Sequence, residues 1–267
     1  MKHFDPLVRN NVHICGNADA DRTIVFVHGF GTEQSVWRGV VPHFARDWRV
    51  VLLDNVGAGA SLPEAFVQSR YLGLQGYADD LLEVCDALQL KDAVLVGHSV
   101  GAMAAVLAAN RKPEDFAKLV LICASPRYLN TEDYHGGFTA DDLNQIYSAI
   151  EEQFDEWAAA FAPMAMGNSD RPQLARYFSD QIRSIPPDRV LTVLCSTFQS
   201  DHRQDVCRIA QPTLLLQSQD DVAVPAAVAH YLQQHIPDSR LVMLKAGGHL
   251  PHFAAPDEVA DAIRGFI

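Results

Sequence analysis

The stretch VLVGHSVGAMAAVLAAN, Val94 to Asn110, changes character in its middle. It begins with apolar residues typical of a buried strand and ends with a run of alanine, methionine, valine and leucine typical of a helix. Ser99 stands at the junction, between Gly97 and Gly101. A turn this tight leaves no room for neighbouring side chains, and flanking glycines permit it. The pattern predicts a strand, a sharp turn that exposes the serine hydroxyl, and a helix.

This arrangement also predicts chemistry. Gly-X-Ser-X-Gly at a strand-to-helix turn is typical of a nucleophile elbow. The first turn of the following helix presents free N–H groups and a positive dipole end, so the Val100 N–H is a candidate donor to a developing oxyanion. The five-residue pattern also occurs by chance, with an ordinary turn serine as the alternative. The flanking AVLV and AMAAVLAA segments favour a nucleophile.

A serine nucleophile needs a base, and the base needs an orienting carboxylate. After an elbow of this kind the acid and then the histidine follow along the chain. The segment QDDVAVP offers Asp220 and Asp221. We favour Asp221, because it begins a D-x-x-V-P arrangement, four residues before Pro225, that resembles the acid loop found with such an elbow. The segment KAGGHLPHF offers His249 and His252. We favour His249, because the two glycines before it permit a sharp exit from the preceding strand.

Each choice leaves an alternative. Asp220 competes as the acid, its other role being a solvated loop carboxylate. His252 is expected to be a surface or packing residue. A metal bound by His249 and His252 lacks further ligands nearby in the sequence, so we expect no metal. The segment VGAGAS, residues 56–61, lacks the Lys-Ser/Thr of a phosphate-binding loop and is interpreted as a structural turn.

A second oxyanion donor is expected after the first apolar strand. The segment HGFGTEQSVW, His28 to Trp37, fits this place. Its Gly-Phe-Gly turn would expose the N–H of Phe30, and the Phe30 ring would form a pocket wall. His28 is expected to be a structural residue of the loop. Two donors matter, because the loss of one costs roughly 3–4 kcal/mol of transition-state stabilisation.

The rest of the chain alternates between strand and helix patterns. Nearly all residues of the strand-like runs are apolar, which is typical of a parallel sheet covered on both faces. The alternation predicts an α/β fold with a mostly parallel, doubly wound sheet. The strand-like runs are residues 23–29, 48–55, 93–99, 118–125, 212–218 and 239–246, and the helical patterns lie near 33–45, 75–90, 100–111, 224–235 and 256–267.

One connection, residues 125–211, is far longer than a plain crossover needs. Apolar residues recur in it at helical spacing, which indicates an inserted helical cap. We therefore predict a core of residues 1–125 and 212–267 with a cap of residues 126–211. The residues that carry the helical pattern are Leu143, Ile146, Tyr147, Ile150, Phe154, Trp157, Phe161, Leu174, Tyr177, Phe178 and Ile182.

Composition limits the possible partners. The net charge is −12 and no basic block occurs, which argues against nucleic-acid binding. The N-terminal segment MKHFDPLVRNNVHICG has no apolar signal region, and no stretch reaches the ~18 apolar residues that a membrane span needs. The five cysteines are scattered, as is typical of buried reduced thiols. We expect a soluble, cytoplasmic protein.

Taken together, the motifs resemble the α/β-hydrolases that include the plant strigolactone and karrikin receptors and the bacterial stress-response hydrolase RsbQ. The resemblance is weak only up to about residue 12, and it includes ASPRYLN, DYHGGF, WAAAFAPMAMG and STFQSDHR in the predicted cap. DNVGAG and DYHGGF are similar to the receptors, whereas SDHR is similar to RsbQ. The resemblance implies a Ser99–His249–Asp221 triad, oxyanion donors at Phe30 and Val100, and a V-shaped cap of four helices.

The resemblance also implies an apolar pocket under the cap. For each aromatic residue placed there, packing in the core is the alternative. By position, the implied wall residues are Phe30, Phe138, Ile146, Trp157, Phe161, Phe178, Phe198, Val222 and Ala223.

We predict a serine hydrolase that cleaves a small apolar ester or lactone of the butenolide type through an acyl-enzyme, with no cofactor, slow turnover and a signalling role. The first alternative is a ligand sensor that acts through a protein partner, with incidental hydrolysis. That partner would be a PAS-domain phosphatase if the chain is RsbQ-like. The second alternative is cofactor-free perhydrolysis or C–C bond hydrolysis on the same triad.

Overall fold

A computed structural model describes residues 4–267, in which seven strands form one sheet. The strand order is β1-β3-β2-β4-β5-β6-β7. Strand β1 is antiparallel to β3, and every other pairing is parallel. The strands are β1 (His13–Gly16), β2 (Thr23–Val27), β3 (Arg49–Leu53), β4 (Ala93–His98), β5 (Phe116–Ile122), β6 (Thr213–Ser218) and β7 (Ser239–Leu244).

Five of the six predicted apolar runs contain a whole strand, and the run 118–125 overlaps β5, which begins two residues earlier at Phe116. Every residue of β2, β4 and β6 is buried, because helices cover both faces of the sheet. Strand β1 was not predicted. It has four residues, most of them exposed, at the antiparallel edge of the sheet, so its sequence HICG carries no continuous apolar signal.

Three four-residue helices, Pro6–Arg9, Arg203–Val206 and Pro251–Ala254, were not predicted. The helical patterns predicted outside the insertion otherwise each coincide with a helix. The predicted helix near residues 33–45 is the exception, because it is two short 3₁₀ turns, Gln34–Trp37 and Val41–His43, with Gly39 between them and Pro42 in the second. The α-helices are α1 (Pro6–Arg9), α2 (Gln75–Ala87), α3 (Val100–Arg111), α4 (Ala140–Glu152), α5 (Phe154–Met166), α6 (Pro172–Arg183), α7 (Pro187–Phe198), α8 (Arg203–Val206), α9 (Ala226–His235), α10 (Pro251–Ala254) and α11 (Pro256–Arg264).

Two hydrophobic layers sandwich the sheet. Alternate residues of β2 point to opposite faces, so that Val25 packs in one layer and Phe26 in the other. Helices α2 and α3 cover the first layer, and α11 and the 3₁₀ turn that carries Trp37 cover the second. The doubly wound arrangement leaves the carboxyl edge of the parallel strands as the place where loops from several strands meet.

Four long helices, α4 to α7, and the short helix α8 are inserted between the paired strands β5 and β6. Helix α4 packs against α7 and against α5, and α5 packs against α6. Helix α4 begins with a capping box in which the Thr139 side chain accepts from the Asp142 N–H and the Asp142 carboxylate accepts from the Thr139 N–H. Helix α5 ends at Met166 and is capped by Gly167, which has a φ of 62°. The fold class predicted from the sequence is confirmed, and the division at residues 126 and 211 stays a prediction.

Candidate active site

Ser99 occupies the turn between β4 and α3. Its φ of 52° is rare for a residue with a side chain, and such strain is typical of functional turns. A Cβ atom at Gly97 would lie 2.6 Å from the Ala102 Cα, and one at Gly101 would lie 2.4 Å from the His28 carbonyl oxygen. The surrounding backbone therefore requires glycine on both sides of the serine.

The structure brings Ser99, His249 and Asp221 into one hydrogen-bonded chain. The His249 Nε2 lies 2.9 Å from the Ser99 Oγ, and the His249 Nδ1 lies 2.8 Å from the Asp221 Oδ2. The other carboxylate oxygen of Asp221 accepts from the N–H groups of Ala223 and Val224 at 2.8 and 3.0 Å. With the Nδ1–H donated to the carboxylate, the Nε2 lone pair faces the serine hydroxyl, as a general base requires.

The environment of Asp221 keeps its carboxylate ionised. Burial raises the pKa of Asp221, but the charge and hydrogen bond of His249 and the two backbone N–H donors outweigh it and hold the pKa below its ordinary value. The Gln217 side-chain amide lies 3.3 Å from the same carboxylate. An ionised carboxylate in this position fixes the imidazole and stabilises its protonated form during a reaction.

The alternative candidates, Asp220 and His252, take no part in the hydrogen bonds that join Ser99, His249 and Asp221. The Asp220 side chain is exposed, and its backbone carbonyl accepts a hydrogen bond from the Gly248 N–H at 3.0 Å. His252 is fully buried, with its ring centroid 4.3 Å from those of Trp37 and His98. It is a packing residue, and the alternative of a surface position is wrong.

The Phe30 loop and the start of α3 lie side by side at the serine. Phe30 and Val100 together line a small cavity of about 30 Å³. Neither N–H donates a hydrogen bond to another group of residues 4–267. His28 holds the loop, because its Nδ1–H donates to the Gly29 carbonyl at 2.8 Å and its Nε2 accepts from the Asn55 N–H at 2.9 Å. The N–H groups of Phe30 and Val100 are therefore available to donate hydrogen bonds to an oxyanion.

A cavity of about 510 Å³ lies among the inserted helices and the loop after β6. Phe178 is not on its wall, because its side chain is buried in the core against Phe161 and Gly31. Phe30 lines the smaller cavity instead. The predicted wall residues that do line the larger cavity are Phe138, Ile146, Trp157, Phe161, Phe198, Val222 and Ala223. Further wall residues, which the sequence reasoning missed, are Gly137, Asp142, Gln145, Ala149, Ala160, Met164 and Leu194.

Sequence reasoning also missed Tyr128, whose hydroxyl lies beside the Ser99 hydroxyl. Burial raises the pKa of Tyr128, and the contact with Ser99 partly opposes this shift. Its ring packs edge-on against Phe198, with the centroids 5.0 Å apart. The sequence contained a signal, because Tyr128 follows β5, which is the neighbour of β4, and loops at the carboxyl ends of adjacent parallel strands meet.

Cys123 lies near His249 and Asp221, and the three residues could in principle ligate a metal ion. Donor atoms of Cys123, Asp221 and His249 lie within 4.8 Å of one another. Burial raises the pKa of the Cys123 thiol well above its ordinary value, so the thiol is neutral at neutral pH. Because the His249 imidazole and the Asp221 carboxylate are hydrogen-bonded to each other, the three residues suit proton transfer to and from Ser99 better than metal binding.

A mostly parallel sheet with a strained serine on the sharp turn after a central strand defines the class of α/β-hydrolases. The sequence comparisons agree, since the family described as the alpha/beta hydrolase fold matches residues 22–256. The chain belongs to the alpha/beta hydrolase family and is a hydrolase-type enzyme. No helix within residues 4–267 has the length and apolar character to cross a membrane.

Similar proteins include a strigolactone esterase of Arabidopsis thaliana, 43% identical over 99% of this chain and 98% of that protein. A karrikin insensitive 2 receptor of Petunia hybrida is 41% identical over 94% of this chain and 92% of that protein. Among solved structures, a hydrolase from Oleispira antarctica is 33% identical with a TM-score of 0.95, covering 98% of this chain and 96% of that one. The resemblance to the plant receptors is thereby confirmed.

Proposed function

We propose that this protein is a serine hydrolase that cleaves a small apolar ester or lactone through an acyl-enzyme on Ser99. The observation that carries the proposal is the continuous hydrogen-bonded chain from the Ser99 Oγ through His249 to the ionised Asp221. A serine without such a base is a weak nucleophile.

In this proposal the Ser99 Oγ attacks the substrate carbonyl carbon while the His249 Nε2 takes the hydroxyl proton. The Phe30 and Val100 N–H groups donate to the oxyanion of the tetrahedral intermediate. Collapse of the intermediate breaks the C–O bond, and His249 returns the proton to the leaving alkoxide. A water molecule then adds to the acyl-enzyme with His249 as base, which releases the acid and restores Ser99.

The cavity and the named relatives support a butenolide-type lactone as the substrate. The cavity wall is formed mainly by aromatic and aliphatic side chains, which favours a small apolar ligand. Asp142 is the acidic wall residue, and its carboxylate is already bonded to Thr139 at the start of α4. A neutral ligand therefore suits the cavity better than an anion.

The second candidate function is a ligand sensor that signals through a protein partner, with slow hydrolysis. One of the relatives is named an esterase and another a receptor, and both match this chain along most of its length. In a sensor, the ligand or the acylated serine changes the population of cap positions, and a partner binds one of them. Turnover is then expected to lie well below the median enzyme value of about 10 s⁻¹.

One experiment tests both candidates. A butenolide with a chromophoric leaving group is incubated with the wild type and with Ser99→Ala, and product release, intact protein mass and melting temperature are measured. We expect slow product release and a mass increase in the wild type alone. The Ser99→Ala variant is expected to bind the ligand with a smaller change in melting temperature.

Each candidate function has a result that would contradict it. Fast multiple turnover with identical melting shifts in both proteins would indicate a metabolic esterase and remove the sensor function. Equal product release by Ser99→Ala would remove the serine mechanism itself. Acyl transfer to hydrogen peroxide in preference to water would instead favour the perhydrolase alternative.

A further inference from the structure

We infer that Asn168 and Arg171, at the turn between α5 and α6, are positioning residues for His249. They lie in the inserted helical segment and hold the loop that carries the histidine. The inference rests on the proposed function, in which His249 is the catalytic base. It goes further by making the alignment of that base depend on the position of the cap.

The main chain of His249 is held from two sides. Its N–H donates to the Ala165 carbonyl at the end of α5, at 2.7 Å. Its carbonyl accepts from the His98 Nε2–H, also at 2.7 Å. One bond therefore attaches the histidine to the cap and the other attaches it to the residue before Ser99, so that a displacement of the cap acts on the histidine directly.

The turn and the histidine loop are in direct backbone contact. Gly167 and Gly248 both have positive φ, 62° and 81°. A Cβ atom at Gly248 would lie 2.0 Å from the Met166 carbonyl oxygen, and one at Gly167 would lie 3.0 Å from the Gly248 Cα. Because no side chain fits between the two segments, the histidine loop can approach the cap closely enough for the bond to Ala165.

Two side chains hold this contact together. The Asn168 side-chain amide donates to the Met166 carbonyl and, at 3.3 Å, to the Gly247 carbonyl. The Arg171 guanidinium donates to the Asn168 Oδ1 and, at 2.6 Å, to the Ala254 carbonyl. Gly247 precedes His249 and Ala254 ends α10, so both ends of the histidine segment are tied to the same turn.

This arrangement has a consequence for catalysis. The Ser99 Oγ and the His249 Nε2 are at hydrogen-bond distance, 2.9 Å, while the turn holds its present position. Misplacement of a catalytic group by about 1 Å can cost about 100-fold in rate. The position of the cap and the alignment of His249 with Ser99 are therefore coupled. A displacement of the cap changes the fraction of molecules in which the two residues are aligned, and a displacement of His249 changes the preferred position of the cap.

The test compares three variants of the complete chain. Asn168→Ala and Arg171→Ala remove the two bridging side chains. Arg183→Ala is the matched control, because Arg183 ends the helix α6 that Arg171 precedes, and it also donates to a backbone carbonyl, that of Asp155, at 2.8 Å. The two arginine side chains are also similarly exposed, 40% for Arg171 and 38% for Arg183. The measurements are kcat and KM on an aryl ester, the rate of phosphonate labelling of Ser99, and the melting temperature.

We expect Asn168→Ala and Arg171→Ala to lower kcat and the labelling rate by about 10- to 100-fold with KM within about twofold, because the histidine and not the cavity is disturbed. Arg183→Ala is expected to keep the wild-type kcat. A lowered melting temperature with unchanged kcat, or an equal loss in Arg183→Ala, would overturn the inference. If the wild type itself leaves Ser99 unlabelled, the proposed function fails and the inference fails with it. Labelling of the wild type and Asn168→Ala at the same rate overturns the inference alone.

Discussion

The His249 Nε2 lies 2.9 Å from the Ser99 Oγ, although 150 positions separate the two residues in the chain. The contact forms because β4 ends at the carboxyl edge of the sheet and the loop after β7 begins at the same edge. Other serines are engaged differently. The Ser35 hydroxyl donates to Glu33, and the Ser125 hydroxyl donates to the Arg127 carbonyl at 2.7 Å.

This difference predicts selective labelling. A serine-directed phosphonate or sulfonyl fluoride is expected to modify Ser99 and no other residue, since Ser99 has both a base and two free N–H donors beside it. Peptide mass mapping after labelling checks the site. Ser99→Ala is the control and should take up no label. Modification at Ser35 or Ser125, or labelling that persists in Ser99→Ala, would show that the nucleophile is elsewhere.

The two neighbouring aspartates are expected to differ in activity. Asp221→Asn should lower kcat on an aryl ester by on the order of 10⁴, because an amide favours the wrong tautomer of the imidazole. Asp220→Asn should change kcat by no more than about twofold, since its side chain is exposed. Steady-state kinetics of both variants measure the difference, with melting temperatures to confirm folding. The opposite ranking would assign the acid to Asp220.

The sequence predicted the strands best where burial is complete. Strands β2, β4 and β6 are buried at every residue, so their apolar runs have no other simple explanation. Strand β1 escaped prediction because an exposed edge strand needs no apolar run. The segment 33–45 has an apolar spacing that suits a helix, but Gly39 and Pro42 divide it into two 3₁₀ turns.

The site was predictable to a different degree. The elbow and the order of the following motifs depend on local sequence, so Ser99, Asp221 and His249 could be proposed together. The wall of the cavity depends on which face of each inserted helix turns inward, and several faces carry aromatic residues. Phe178 illustrates this, since its ring packs beneath Gly31 and not on the cavity. Tyr128 was missed because a tyrosine after a strand has no motif of its own.

The difference between Phe178 and the true wall residues provides a test of the cavity. Phe161→Ala and Phe198→Ala are each expected to weaken binding of an apolar lactone by about 1–3 kcal/mol, because the ligand loses apolar contact area. Hydrolysis of a small acetyl ester should change much less. Calorimetric titration and ester kinetics measure the two effects.

Phe178→Ala is the control for this pair, because its side chain is 2% exposed and packs in the core. It is expected to lower the free energy of unfolding by about 3–5 kcal/mol. If Phe161→Ala and Phe198→Ala also lose stability and lose activity equally on both substrates, these two residues are core residues and the cavity is not the ligand site.

His252 offers a test of the buried histidine cluster. Its ring lies between those of Trp37 and His98, and neither of its nitrogens has a hydrogen-bond partner within residues 4–267. Burial lowers the pKa of His252 from 6.5 to about 3, and the charges of His249 and His28 add to the shift. The folded protein therefore keeps this imidazole neutral at pH values where the unfolded chain protonates it.

Acid should consequently destabilise the wild type through His252. Between pH 6.5 and 3 the unfolded state binds one more proton at this residue, so its contribution to the free energy of unfolding falls by about 1.4 kcal/mol per pH unit as the pH is lowered. His252→Phe keeps a ring in the same place and has no proton to bind. Its stability relative to the wild type is expected to rise by about 2 kcal/mol between pH 7 and pH 5, measured by urea unfolding. Phe44→Leu is the control, because it changes a buried side chain that does not titrate, and it should shift stability equally at both pH values. If the stability difference between His252→Phe and the wild type is also the same at both pH values, His252 is protonated in the folded state.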